Sequence, residues 1–289
     1  MRAGATSGIT GAATVAGVVG RPVGQSLSPA VHNAWIAALG LDAAYVPFSP
    51  ADERFEAFVD SWRGGALAGL NVTIPFKERA LALAHAASPQ ARRAGAANLL
   101  LFRADGTVEA RNTDGDGVLG ALAHDAPELD LASGPVVVLG AGGGARGAVG
   151  ALLDAGAPQV RLMNRSRDRA EALAVELGPT VRVFGWDEAH AAFAGAALLI
   201  NATSTEMSGG PALDLPLHAL PERAVVLDMV FKPLETPLLK AARARGLATV
   251  DGLAMLIAQA RPSFEALFGR APPDLDVRAL VVARLERAA

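Results

Sequence analysis

Lysine is scarce in this chain. Of 26 basic residues only Lys77, Lys232 and Lys240 are lysines, so arginine supplies most of the positive charge. Each remaining lysine is therefore a candidate for a position that needs a primary ammonium. Lys77 closes the run Asn71-Val72-Thr73-Ile74-Pro75-Phe76-Lys77, four residues after Thr73. The run Asn112-Thr113-Asp114-Gly115 offers a carboxylate in a second polar stretch. Gln25-Ser26-Leu27-Ser28-Pro29 puts two hydroxyls, Ser26 and Ser28, at a helix start, a seat suited to a small carboxylate. An amine and a carboxylate that tune each other's proton affinity suit alcohol oxidation. As hydride leaves carbon, negative charge builds on the oxygen, and an ammonium or amine beside it can donate to the alkoxide or take the proton. Lys77 and Asp114 are the candidate catalytic pair.

Other chemistries are excluded or poorly served. The chain has no cysteine, which removes thiol nucleophiles, disulfides and cysteine-ligated zinc or iron–sulfur centres. Tyr45 is the only tyrosine, and Ser49 stands four residues after it, so there is no Tyr-x-x-x-Lys pair. His85, His124, His190 and His218 lie in alanine-rich or loop settings without a local partner, and no metal site is expected. His32, beside Asn33, is expected to bond locally. A net charge of −3 provides no basic field for nucleic acid or an anionic membrane.

The strongest local signal is Val136-Val137-Val138-Leu139-Gly140-Ala141-Gly142-Gly143-Gly144-Ala145-Arg146. A strand that runs into G-x-G-x-x-A and then a helix is a dinucleotide-binding pattern. Gly140 permits the turn, Gly142 keeps a side chain out of the pyrophosphate's path, and Ala145 allows close helix–strand packing. The helix start offers backbone N–H groups to the phosphates. An NAD site usually carries Asp or Glu at the end of the following strand. Here that strand ends in Asn164-Arg165-Ser166-Arg167-Asp168-Arg169. The acid is missing and Arg165 stands at the corner, with a guanidinium suited to a 2′-phosphate. NADP is the expected cofactor.

The elements that would position these groups alternate short β-branched strands with alanine-rich helices, which predicts an α/β fold with a parallel, doubly wound sheet in the second half. Strands are expected at 14–19, 44–48, 69–73 and 97–103 in a first unit, the last followed by an Ala104-Asp105-Gly106 turn and another strand. A second unit has strands at 135–139, 159–163, 180–184, 197–200 and 224–229. A helix is expected from Pro29 to Leu39 with Ser28 as its N-cap, and helices are expected from Gly252 onward. Residues 1–13 read as a flexible tail without a signal peptide. No stretch approaches the roughly 20 apolar residues of a membrane span. The expectation is a soluble, cytoplasmic protein acting on a small molecule, with no nucleic acid or membrane partner, as a monomer or homodimer.

In order along the chain stand Ser-x-Ser-Pro with a following His-Asn, Asn-Val-Thr-x-Pro-x-Lys, Gly-Ala-x-Asn, Asn-Thr-Asp-Gly, Gly-Ala-Gly-Gly, Asn-Arg-x-x-x-Arg and Asn-Ala-Thr-Ser. In these motifs, from about Val15 to Phe268, the chain closely resembles the shikimate dehydrogenase family. The resemblance implies a substrate-binding domain (14–113 with 252–289) completed by C-terminal helices, and a Rossmann-like NADP-binding domain (114–251). It implies reversible reduction of 3-dehydroshikimate to shikimate in aromatic biosynthesis. By motif match, Ser26 and Ser28 would hold the substrate carboxylate, and Thr73, Lys77, Asn98, Asp114 and Gln259 would contact the ring hydroxyls. Gly140, Ala141, Gly142, Gly143, Gly144 and Ala145 would cradle the cofactor phosphates. Asn164, Arg165 and Arg169 would meet the adenosine 2′-phosphate end. Asn201, Thr203 and Ser204 would line the cofactor cleft, with Met229 and Gly252 flanking the nicotinamide. Phe231 departs from the pattern, standing where the family usually has a tyrosine whose hydroxyl lies near the substrate. That leaves quinate or an aminoshikimate as alternative substrates. A non-catalytic, small-molecule-binding regulator is the alternative of another class.

Overall fold

A computed structural model describes residues 8–65, 67–203 and 215–286. The chain divides into two compact units, Met1–Thr113 with Ala260–Ala289, and Asp114–Gln259.

The first unit is built on strands β1 (Thr14–Val19), β2 (Ala43–Phe48), β3 (Leu67–Val72), β4 (Ala86–Ala87), β5 (Leu99–Phe102) and β6 (Val108–Arg111), arranged β2-β1-β3-β5-β6-β4. Helix α1 (Ser28–Ala38) connects β1 to β2, and α2 (Phe55–Asp60) connects β2 to β3. These crossovers make β1 parallel to both neighbours. β5 and β6 are antiparallel, because Asp105 and Gly106 close a tight turn between them, with Arg103 N–H donating to Thr107 O at 2.9 Å. The first sheet is therefore mixed. Helices α3 (Lys77–Ala82) and α4 (Pro89–Ala94) complete this stretch. One face buries Phe55, Leu70, Phe76 and Leu100, with the Phe55 and Phe76 rings stacked at 4.3 Å.

Two local expectations need correction. Ser28 is the first residue of α1 rather than its cap; Leu27 holds the cap position without a side-chain bond. The hydroxyl that serves the helix start is that of Ser26, whose Oγ accepts from Ser28 N–H at 3.3 Å. Within the expected tail, Thr10 N–H donates to Asp42 Oδ1 at 3.0 Å, and its hydroxyl bonds to Asp42 Oδ2, so residues near Thr10 are tied to the sheet's rim.

The second unit opens with α5 (Asp114–Asp125) and continues β7 (Val136–Leu139), α6 (Gly143–Asp154), β8 (Val160–Met163), α7 (Arg167–Leu177), β9 (Val181–Phe184), α8 (Ala189–Phe193), β10 (Leu198–Asn201), β11 (Val225–Asp228), α9 (Pro237–Ala244) and β12 (Ala248–Val250). Its sheet runs β12-β11-β10-β7-β8-β9, with every pairing parallel. This is the doubly wound order 3-2-1-4-5-6 read from β9, and its topological switch lies between β7 and β10. Both faces are covered, which is why β7 is a continuous apolar run. Val136 and Val138 enter one core, and Val137 and Leu139 the other.

Helix α10 (Gly252–Phe268) belongs to the second unit as far as Gln259 and to the first from Ala260. The division thus falls inside the helix, beyond the expected boundary at Gly252. Helix α11 (Val277–Glu286) ends the first unit. No helix among the described residues is long and apolar enough to cross a membrane.

Candidate active site

In the first unit, three of the sequence-derived candidates meet beyond the C-terminal end of β3. Thr73 follows that strand and donates its N–H to Val19 O at 2.9 Å. Lys77 opens α3, half-buried, and its carbonyl accepts from Ala97 N–H at 2.8 Å. Asn98, buried, accepts from Val72 N–H at 2.8 Å through its own carbonyl. The backbone of the Ala97–Asn98 segment is thereby pinned to both the strand end and the lysine. Ser26 and Ser28 lie at the start of α1 in the same unit, half-buried and buried respectively.

Around Asn98 the structure shows a polar network that the sequence did not single out. Asn98 Nδ2 donates to Thr113 Oγ1 at 3.0 Å, and Thr113 N–H donates to Asn98 Oδ1 at 2.8 Å. Asn71 Nδ2 donates to Asn98 O at 3.2 Å and to Ser263 Oγ at 3.0 Å. The Tyr45 hydroxyl donates to Asn71 Oδ1 at 2.8 Å. Asn71 and Thr113 sit inside recognised motifs. Ser263 carries no local signal, since it stands between Pro262 and Phe264 on α10 and its partner Asn71 is 192 residues away.

His32 does not bond locally as expected. It is fully buried, and neither ring nitrogen has a partner among the described residues. Its ring stacks on Tyr45 at 4.0 Å and 7°, with Trp35 and Phe264 at its edges. Burial pushes its pKa down to about 3 and raises that of the Tyr45 phenol well above its ordinary value. Its neighbour Asn33 clamps the edge strand β2, donating to Tyr45 O at 2.8 Å and accepting from Tyr45 N–H at 3.1 Å.

In the second unit, the switch point carries the glycine loop. Gly140 has φ +108°, and a Cβ there would lie 3.0 Å from the carbonyl oxygen of Ala202 at the end of β10, so only glycine serves both the turn and the close approach. A Cβ on Gly142 would meet nothing within 4 Å, which leaves the approach to the α6 N-terminus open. Ala141 and Ala145 are packed into the core, while Gly143 and Gly144 open the helix. Arg146 N–H is taken by Gly142 O at 2.9 Å, whereas the preceding first-turn N–H groups have no intrahelical acceptor. This arrangement fits a dinucleotide's phosphates. At the end of β8, Asn164 Nδ2 donates to Ser166 O at 2.8 Å and shapes the corner. Arg165 there is exposed and makes no ion pair among the described residues. Arg167 is engaged by Glu171 at 2.8 Å. Arg169 is exposed on the first turn of α7.

The ends of β10 and β11 are joined by side chains. Asn201 Nδ2 donates to the buried Asp228 at 2.9 Å, and Asn201 Oδ1 accepts from both Thr203 N–H at 3.1 Å and Thr203 Oγ1 at 2.8 Å. Asp228 also accepts from Val230 N–H at 3.0 Å and the Thr236 hydroxyl at 2.7 Å. Asp228 was absent from the sequence-derived set. Ser204 lies outside the described residues. Met229, Gly144 and Gly252 come together: the Met229 sulfur is 3.7 Å from the position of a Gly144 Cβ, and a Cβ on Gly252 would lie 2.4 Å from Met229 O. Phe231 is half-buried just beyond. Asp114 opens α5 and is buried. Gln259 packs on the same helix, since a Cβ on Gly117 would lie 2.7 Å from that of Gln259.

Comparison with known proteins agrees with these observations. The shikimate dehydrogenase substrate binding domain matches residues 18–100, and the shikimate/quinate 5-dehydrogenase domain matches residues 121–208. A shikimate dehydrogenase (NADP(+)) from Caulobacter vibrioides is 58% identical over 278 residues, 96% of this chain and 98% of the relative. One from Rhodospirillum rubrum is 50% identical over 281 residues, 96% of this chain and 99% of that one. The crystal structure of shikimate 5-dehydrogenase from Thermus thermophilus in complex with NADP(H) and shikimate superposes with a TM-score of 0.82 at 36% identity, covering 96% of this chain and 100% of that chain.

Proposed function

The chain belongs to the shikimate dehydrogenase family, and we propose that it catalyses the reversible NADP-dependent reduction of 3-dehydroshikimate to shikimate, a step of aromatic biosynthesis. The observation that carries this reading is the gathering of Thr73, Lys77 and Asn98 at one end of the first unit's sheet. They occur in a chain whose second unit ends β7 in an open dinucleotide loop with Arg165 at the next corner. The first unit with the C-terminal helices serves as the substrate domain, and the second as the NADP domain.

Within this reading, the Ser26 and Ser28 hydroxyls hold the substrate carboxylate, and Thr73, Asn98 and Gln259 bond the ring hydroxyls. NADP supplies or accepts the hydride when bound. Lys77 is the only lysine of the first unit. Its Nζ donates to the substrate oxygen as negative charge grows there during reduction, and Asp114 is the second residue assigned to the chemistry. Asn201, Thr203, Met229 and Gly252 line the nicotinamide end, and Asn164, Arg165 and Arg169 take the adenosine 2′-phosphate.

Phe231 favours one second reading. A phenyl ring in place of a phenol removes a donor from the substrate end and relaxes discrimination toward quinate or an amino-substituted analogue. Spectrophotometry of NADPH formation with shikimate, then quinate, separates these. Fast turnover with shikimate supports the first reading, preference for quinate the second, and no absorbance change with either acid refutes both in favour of a non-catalytic binding protein.

A further inference from the structure

A buried polar chain runs from Tyr45 on β2 to Asn98 through Asn71 on β3, Ser263 on α10 and Thr113 beyond β6. It begins at the Tyr45 hydroxyl, which donates to Asn71 Oδ1 at 2.8 Å. That donation fixes the Asn71 amide: its oxygen faces the phenol, so its nitrogen faces Asn98 O at 3.2 Å and Ser263 Oγ at 3.0 Å. Ser263 Oγ, accepting from Asn71, then lies 3.3 Å from Thr113 Oγ1. Thr113 in turn holds both ends of the Asn98 amide, its N–H on Oδ1 and its Oγ1 on Nδ2.

Two routes therefore converge on Asn98. Asn71 holds its carbonyl, and Ser263 sets the Thr113 hydroxyl that receives its amide nitrogen. Tyr45, Asn71, Asn98, Thr113 and Ser263 are all buried. An apolar set of the same volume would fill this space without desolvating five polar side chains, so the network's return is a single fixed arrangement rather than added cohesion. What it fixes is the direction of one amide. With Oδ1 occupied by a backbone N–H that cannot reverse, Asn98 keeps a constant pattern of donor and acceptor.

We propose that Tyr45 and Ser263 are positioning residues that act through Asn71 and Thr113 to hold the Asn98 amide in the orientation that receives a substrate hydroxyl. The proposal rests on the reading of Asn98 as a substrate contact. Neither residue touches the substrate in this scheme; each determines how Asn98 does. It also gives the C-terminal helix α10 a task in recognition, through one serine on the part that belongs to the first unit.

Tyr45→Phe and Ser263→Ala each remove a hydroxyl and little volume. In steady-state assays of the full chain with shikimate and NADP, each is expected to raise KM for shikimate about two- to twelve-fold, the span of one hydrogen bond, with KM for NADP changed by less than about twofold. In an Asn98→Ala background, either substitution should leave the shikimate KM where Asn98→Ala alone put it. A solely stabilising role would lower the melting temperature and leave that KM unmoved. If Asn98→Ala raises the shikimate KM and neither hydroxyl variant does, or if their effects add fully to that of Asn98→Ala, the positioning role is overturned and the substrate contact stands. A shikimate KM unmoved by Asn98→Ala overturns the contact and the positioning role with it. Either hydroxyl variant decides the matter if the other does not fold.

Discussion

His32 makes the folded protein sensitive to acid, by an amount that follows from its surroundings. Its imidazole is fully buried between Tyr45, Trp35 and Phe264, neither nitrogen has a partner among the described residues, and burial lowers its pKa from 6.5 to about 3. The folded state holds the ring neutral, whereas the unfolded chain takes up a proton below the ordinary value. The stabilising difference is therefore intact above pH 6.5 and is lost as pH falls from there towards the folded pKa. Each pH unit in that window costs about 1.4 kcal/mol, so about 2 kcal/mol is gone by about pH 5 and ~5 kcal/mol at the limit. Replacing His32 by Phe keeps an aromatic ring on Tyr45 and removes the titration. Urea unfolding of both proteins at neutral pH and at about pH 5, with matching m-values, isolates the effect, because all other titrating groups are shared. The wild-type chain should lose about 2 kcal/mol more than the variant between the two conditions. Equal losses would refute the argument and mean that the ring is protonated, or solvated, in the folded state.

Other consequences concern the reaction. Arg165→Ala should raise KM for NADP about ten- to a hundredfold, the span of charge-assisted hydrogen bonds, and barely change KM for NAD; equal effects on both would pass the 2′-phosphate to Arg169. Phe231→Tyr should shift the shikimate KM by about two- to twelve-fold with only a modest change in kcat, and constants unchanged in both respects would place this ring away from the substrate. Lys77→Ala should cut kcat by at least about 10²-fold while NADP affinity, measured by fluorescence titration, stays nearly constant. A variant that keeps most of its kcat would remove Lys77 from proton transfer.

What could be read from the sequence follows the range of the interactions involved. The strand, the glycine loop and the start of its helix span eleven consecutive residues, Val136 to Arg146, and their conformation answers to local rules: an apolar run, a residue with positive φ, a helix start. The arginine corner and the Asn71–Lys77 strand end are equally local. A local window misleads at the cap of α1, because Ser and Pro in succession satisfy the usual pattern, while the hydroxyl that serves the helix is two residues earlier at Ser26. The mixed first sheet depends on the tight turn at Asp105 and Gly106, which reverses the chain where a crossover would have kept it parallel.

The polar chain beneath Asn98 was illegible for a different reason. Tyr45, Asn71 and Ser263 each have an ordinary local setting: a strand residue, a strand end and a serine on a helix. Only pairings of 26 and 192 residues' separation give them meaning. A buried polar side chain costs stability unless it finds a partner, so Ser263 in α10 implies an acceptor or donor elsewhere without saying where. Asp228 poses the same problem, as a carboxylate at the end of an apolar strand that needs donors. The structure supplies them from Asn201, Val230 and Thr236. In both units a residue with no local signal stands one bond behind one inside a motif, Ser263 behind Thr113 and Asp228 behind Asn201. Residues that face a ligand sit in local patterns because strand ends and helix starts present them. The residues that hold those side chains still are recruited from wherever the fold brings a matching donor or acceptor, and that choice is made in three dimensions.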